Sequence, residues 1–194
     1  WLAPYIAIGV FALAMLILTG LLQWRELDTA RSALEGDMHW AERTIESRLQ
    51  AHRDFLAELG REQEFKQLTY ESFQVRAARY VREATEIQAI IWVDTDGKVE
   101  WVAPNEGTST FVGDQLAGNR WSALQEALRI RRELVSPDYR DNTLGPMHDI
   151  ILPVQRGSAD LGAFIAVQSL EGLLRATLPA VFTARYSLTV VNAD

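Results

Sequence analysis

From Trp1 to Trp24 the chain carries no charged side chain (WLAPYIAIGVFALAMLILTGLLQW). At about 1.5 Å per helical residue, such a run is long enough to cross a hydrocarbon core of about 30 Å. A cleaved signal peptide has a shorter apolar stretch, about 7–15 residues, with a small-residue site behind it; here Gln23, Trp24, Arg25 and Glu26 follow instead. The Leu, Ile, Val and Phe side chains of the run together favour insertion by about 3–7 kcal/mol. Trp1, Tyr5 and Trp24 suit the interfacial belts, so residues 1–24 are predicted to be a transmembrane helix.

Beyond the run the pattern becomes periodic. Leu27, Ala30, Leu34, Met38, Ala41, Ile45, Leu49, His52, Leu56 and Leu59 recur at steps of three and four, with Arg, Glu, Asp and Gln between them. This is one apolar stripe on an otherwise solvated α-helix. One stripe needs one partner surface, either its own domain or the same helix of a second subunit. A seam running straight out of a membrane segment favours a homodimer through the helix 27–59. Gly60 is expected to end that helix, and a second helix is predicted from Thr69 to Thr85, with Phe73, Ala77, Tyr80, Val81 and Ala84 on one side. Residues 25–84 thus read as a helical stalk.

The period then changes. Ile90 to Val93 and Val99 to Val102 are short apolar runs either side of Asp94-Thr95-Asp96-Gly97, which predicts a β-hairpin. Pro104 to Gly118 reads as a loop, and Trp121, Leu124, Ala127 and Leu128 mark a helix of about three turns. Leu134 and Val135 form a short strand. A loop through Asp141, Asn142, Gly145 and Pro146 precedes a second hairpin, Asp149 to Gln155 with Leu161 to Gln168. A helix from Leu170 to Ala184 follows, kinked or broken at Pro179, and a strand from Tyr186 to Asn192. Leu188-Thr189-Val190-Val191-Asn192-Ala193-Asp194 repeats Ile90-Ile91-Trp92-Val93-Asp94-Thr95-Asp96 in type and order, as the opening strand of a second module would.

Charge and composition narrow the function classes. The formal net charge of −7 and pI near 5.0 argue against nucleic acid as a partner. The absence of cysteine excludes disulfides and thiolate metal sites. No nucleophile elbow, phosphate loop or zinc spacing occurs, so no catalytic residue, metal or cofactor is nominated. His52 lies on the apolar stripe and reads as a packed or interface histidine. Asp94 and Asp96 read as turn residues, because Asp side chains bond local backbone and Gly accepts positive φ. Arg129, Arg131 and Arg132 suit the negative end of their helix. Arg120, at the start of the same helix and beside the loop, is the better anion ligand, since a guanidinium offers a planar fork to a carboxylate.

The order of elements, with Ile91-Trp92-Val93-Asp94-Thr95-Asp96-Gly97-Lys98-Val99, Phe111-Val112-Gly113-Asp114-Gln115-Leu116, and Ile150-Ile151-Leu152-Pro153-Val154 with Leu161-Gly162-Ala163-Phe164-Ile165, resembles the extracytoplasmic Cache (PDC) family of PAS-like sensor domains. The likeness spans about residues 40 to 185. It implies an α+β fold: transmembrane helix 1–24, helical stalk 25–84, a PAS-like antiparallel-sheet sensor module at 85–185, and the first strand of a second module at 186–194. The Arg-x-Trp-Tyr type cluster that amino-acid-binding members carry on the pocket helix is absent. In folds of this kind the ligand lies between the sheet and the loops around the central helix, which directs attention to Trp101, Arg120, Trp121, Tyr139, Arg140, His148 and Asp149. The resemblance implies the ligand-sensing input region of a two-component sensor histidine kinase in a bacterial inner membrane, with residues 25–194 periplasmic or extracellular and a small molecule of unknown identity as ligand. A diguanylate cyclase or chemoreceptor output is the alternative, and an anchored protein-binding scaffold is another. The chain starts at Trp1, so the flanking charge that orients a membrane helix would precede it, and the extracytoplasmic placement follows from architecture.

Overall fold

The computed structural model describes Met15 and residues 38–105, 110–141 and 145–178. The expected membrane helix 1–24, the strand 186–194 and the seam upstream of Met38 lie outside these, Met15 apart. Among the described residues no helix is long and apolar enough to cross a membrane. The chain divides into two compact units, Trp1–Thr44 and Ile45–Asp194. In the first, residues 38–44 are helical, and Thr44 Oγ1 donates to the Trp40 carbonyl at 2.8 Å.

The second unit opens with helix α1, residues 45–64, followed by α2, Tyr70–Glu83. Gly60 does not end α1. A Cβ there would stand 3.3 Å from Val154 Cγ2, so the glycine lets the helix lie close on the sheet. The helix stops instead at Lys66, which adopts φ 58°, while the Gln67 N–H donates to the Glu62 carbonyl at 2.8 Å. Thr69 starts α2 through a reciprocal cap: its Oγ1 accepts from the Ser72 N–H, and Ser72 Oγ accepts from the Thr69 N–H, both at 3.2 Å.

The strands are β1 (Ile87–Val93), β2 (Val99–Ala103), β3 (Leu134–Val135), β4 (Tyr139–Asp141), β5 (Gly145–Arg156) and β6 (Ala159–Ser169). Helix α3 (Gly118–Ile130) connects β2 to β3, and α4 (Leu170–Thr177) follows β6. The antiparallel sheet has the order β2-β1-β6-β5-β3, with β4 also paired to β5. Both predicted hairpins are present. Strand β4 was expected as loop; it pairs Tyr139 with Met147 and Asp141 with Gly145, so β5 begins earlier than Asp149. Helix α4 ends at Thr177 with Leu178 as its cap, and the expected kink or break at Pro179 lies outside the described residues.

Alternation along the strands sorts the side chains to two faces. Ile90, Trp92, Ile150, Val154, Phe164 and Ala166 meet Leu56, Leu59, Phe73 and Ala77 of α1 and α2. Ala89, Ile91, Met147, Ile151, Ile165 and Val167 meet Ala123, Leu124 and Ala127 of α3. From Leu49 onward the α1 stripe is therefore packed on the sheet of its own domain. Each large side chain buried this way stabilises the fold by about 1.5–3 kcal/mol.

Candidate functional site

Asp149 belongs to the α3 face of β5, between Met147 and Ile151, and is 0% exposed. A carboxylate buried to that degree requires donors, and three elements supply them. Arg120 in the first turn of α3 donates from Nε to Asp149 Oδ2 at 2.6 Å. Tyr139 of β4 donates its hydroxyl to Oδ1 at 2.8 Å. Ser136, between β3 and β4, holds the backbone: its N–H donates to the Asp149 carbonyl at 2.8 Å, and its Oγ accepts from the Asp149 N–H at 2.9 Å.

The arginine is joined to this carboxylate through Nε alone. Its Nη1 lies 3.4 Å from Thr110 Oγ1, and Nη2 is buried with no hydrogen-bond partner among the described residues. Its Cζ stands 5.1 Å from the Tyr139 ring centroid, close enough for cation–π attraction. Burial opposes the guanidinium charge, but Asp149 and Tyr139 outweigh it and keep the group above its ordinary value. Burial, reinforced by the Asp149 charge, raises the Tyr139 phenol, which stays a donor. The result is a largely buried ion pair whose guanidinium keeps one nitrogen without a partner among the described residues, a group that pairs well with an acceptor such as a carboxylate.

Of the other sequence candidates, Trp121 shares this helix, and its ring packs beneath the β1–β2 turn, where a Cβ on Gly97 would meet it at 2.6 Å. The turn is held by Asp94, whose Oδ1 accepts from the Asp96 and Lys98 N–H groups at 2.9 Å, as turn chemistry predicts. Gln115 donates to the Asp96 carbonyl, tying the loop before α3 to the turn. Arg140 is exposed. Trp101 lies on the opposite face, among Trp92, Phe73 and Tyr70.

His148 also takes the opposite face, cross-strand from Gln168. Burial pushes its imidazole below the ordinary value, against the raising influence of Gln168, Asp138 and Asp149. Close by is a polar cluster that the sequence did not single out. The Glu86 carboxylate, 0% exposed, receives Arg48 Nη1 at 2.8 Å and faces His52 Nε2 at 3.2 Å, and His52 Nδ1 meets the Tyr80 hydroxyl at 2.7 Å. Burial alone would raise the Glu86 carboxyl; His52 and Arg48 outweigh it and hold it down at about 2. Thr110 and Ser136 were missed for want of a signal, since small hydroxyl residues in loops carry no periodicity.

No family model and no curated protein matches the chain. Solved structures do. The ligand-binding domain of the Pseudomonas aeruginosa amino acid chemoreceptor PctC, in complex with GABA, is 16% identical with a TM-score of 0.54, over 77% of this chain and 65% of that one. The extracellular domain of the putative histidine kinase rpHK1S-Z16 is 13% identical with a TM-score of 0.54, over 78% and 59%. An extracellular ligand binding receptor from Desulfohalobium retbaense is 16% identical with a TM-score of 0.52, over 69% and 25%. The chain thus spans 25–65% of the length of these structures. What the likeness carries is the fold: an α+β domain with a helix-flanked antiparallel sheet, of the Cache and PAS-like type found in the sensor domains of chemoreceptors and sensor kinases.

Proposed function

We propose that the chain is the extracytoplasmic input region of a membrane signal-transduction receptor, and that it binds a small organic molecule bearing a carboxylate at Arg120, Tyr139 and Asp149. The observation that carries this reading is the buried Arg120–Asp149 pair, joined through one nitrogen and leaving Nη2 for a further acceptor. A ligand with both carboxylate and ammonium fits the pair best, since it would meet Arg120 with one end and Asp149 with the other. The ligands bound in structures sharing the fold, GABA in PctC and 4-methylisoleucine in the Campylobacter jejuni chemoreceptor Tlp3, are of this class and support it. They also favour a chemoreceptor output over the histidine kinase expected from sequence.

Ligand binding changes the balance of charge between α3, β4 and β5 and so biases the domain between two arrangements. About 1–3 kcal/mol of coupling would alter an output about 5–150-fold. A membrane anchor at residues 1–24 and a second subunit contacting the upstream part of helix 27–59 complete the receptor. Calorimetric titration of the detergent-solubilised chain with GABA, isoleucine, acetate and propylamine tests the reading. Saturable binding of a zwitterion, weakened about tenfold by Tyr139→Phe, is expected. A panel without binding, or binding indifferent to Tyr139→Phe, would overturn it.

A further inference from the structure

The α1/α2 face contains a second concave place, separate from the Arg120 site. The end of α1, the connection to α2 and residues of β1, β2, β5 and β6 line an open cleft of about 370 Å³, within the range of about 300–1,000 Å³ usual for small-molecule sites. Trp92, Trp101, Leu68 and Leu161 form its apolar walls, and Lys66 and Arg156 are its cations. Along β5, Arg156 is seven positions from Asp149, about 23 Å of strand, and the Trp92 and Trp101 rings lie on the face of the sheet that Asp149 does not share.

The walls are held in place. Trp92 packs on Phe164 with centroids 4.6 Å apart, Trp101 packs on Phe73 at 5.5 Å, and the two indoles are 6.3 Å from each other. The Arg156 guanidinium is oriented by the last carbonyls of α1, with Nε donating to Glu64 O at 2.6 Å and Nη2 to Gln63 O at 3.3 Å. Neither of these acceptors carries a formal charge. Lys66 makes no ion pair among the described residues; of the acids in the preceding helical turns, Glu58 and Glu62 are held by Arg76, while Glu64 pairs with neither Arg76 nor Lys66. Lys66 moreover occupies the left-handed helix-ending position, φ 58°, that glycine fills most easily. A long cationic side chain stands where the backbone asks for none.

We propose that this cleft is a second binding site, for a small organic anion with a flat apolar body, such as an aromatic carboxylate. The indoles and leucines take the ring, and Lys66 and Arg156 take the carboxylate. The charge-assisted contacts select an acid over its neutral counterpart.

The test is calorimetric titration of the full chain with 2-naphthoate, 2-naphthalenemethanol and acetate, together with NMR of the tryptophan indole N–H groups. Naphthoate is expected to bind, the neutral alcohol about tenfold more weakly or worse, and acetate not measurably. The shifts should fall on Trp92 and Trp101. Lys66→Gly keeps the left-handed backbone and removes the ammonium, so it should leave the melting temperature unchanged or raised while weakening naphthoate about tenfold. Tyr139→Phe should leave naphthoate binding unchanged, which separates this site from the one proposed above. Equal affinity for acid and alcohol, Lys66→Gly without effect, shifts confined to Trp121, or no binding by a normally melting chain would each overturn the proposal.

Discussion

The two faces of the sheet each bury a carboxylate, and they use it differently. On the α1/α2 face, Glu86 is gripped by Arg48 and His52, both from α1, so the charge fastens one helix to the start of β1. On the α3 face, Asp149 collects donors from α3 and β4, and its arginine retains a buried nitrogen without a partner among the described residues. A latch and a receptor can thus be built from the same pair of residue types. What separates them is whether the donors arrive from one element or converge from several.

The largest effect should follow from breaking the receptor pair. Asp149→Ala leaves the Arg120 guanidinium largely buried beside Tyr139 without its directly bonded counter-charge, with only the weaker influence of Asp114 remaining, and is expected to cost about 3–5 kcal/mol. Urea unfolding of the variant against the parent measures it. A loss below 1 kcal/mol would mean that Arg120 swings to water, and that the pair is not the enclosed site described. Tyr139→Phe removes one hydrogen bond to the same carboxylate, an effect of about 1.5–3 kcal/mol by the same assay.

The latch is best tested by pH. The Glu86 carboxyl sits at about 2, below the ordinary 4.5. A depressed carboxyl contributes stability that is complete above its unfolded value and is lost as pH falls from 4.5 towards 2. Glu86→Gln should flatten that acid limb of the stability curve and lower stability at pH 7. His148 acts in a higher window. Its imidazole is depressed by burial, so the unfolded chain takes up protons first, and stability begins to fall as pH drops through 6.5. A His148→Gln variant should lose that component alone, and an unchanged slope between pH 7 and 5 would show that His148 is reached by water.

How far the two faces could be read in advance depended on the range of the signal. Strands β1, β2, β5 and β6 were legible because short apolar runs bounded by turn residues are local signals, and α2 because its apolar spacing is helical. Strand β4 was not: Tyr139, Arg140 and Asp141 have no apolar alternation, and only pairing with β5 makes them a strand. Arg120, Tyr139 and Asp149 were nominated together, but so were Trp101 and His148, which the sheet sends to the other side. Adjacent strand residues point to opposite faces. Once Asp149 to Gln155 read as a strand, its neighbour His148 already carried a warning that both could not line one pocket. The Glu86 cluster had no such cue, because its members come from residues 48, 52, 80 and 86, brought together only by packing.

The smallest effect concerns how closely the latch helix lies on the sheet. Gly60→Ala should gain about 1 kcal/mol of helix propensity. Against this, the new methyl stands 3.3 Å from Val154 Cγ2, tighter than ordinary contact. Val154 is 4% exposed and, being β-branched, stiff at χ1, so its methyls yield little and α1 is expected to shift outward. The strain is expected to win narrowly, with a net loss under about 1 kcal/mol. In a Val154→Ala background the obstruction is gone, and the same substitution should become stabilising. A reversal of sign between the two backgrounds, measured as a double-mutant cycle, would locate the close approach of α1 at this one contact. Equal effects in both would place the reason for glycine elsewhere on the helix.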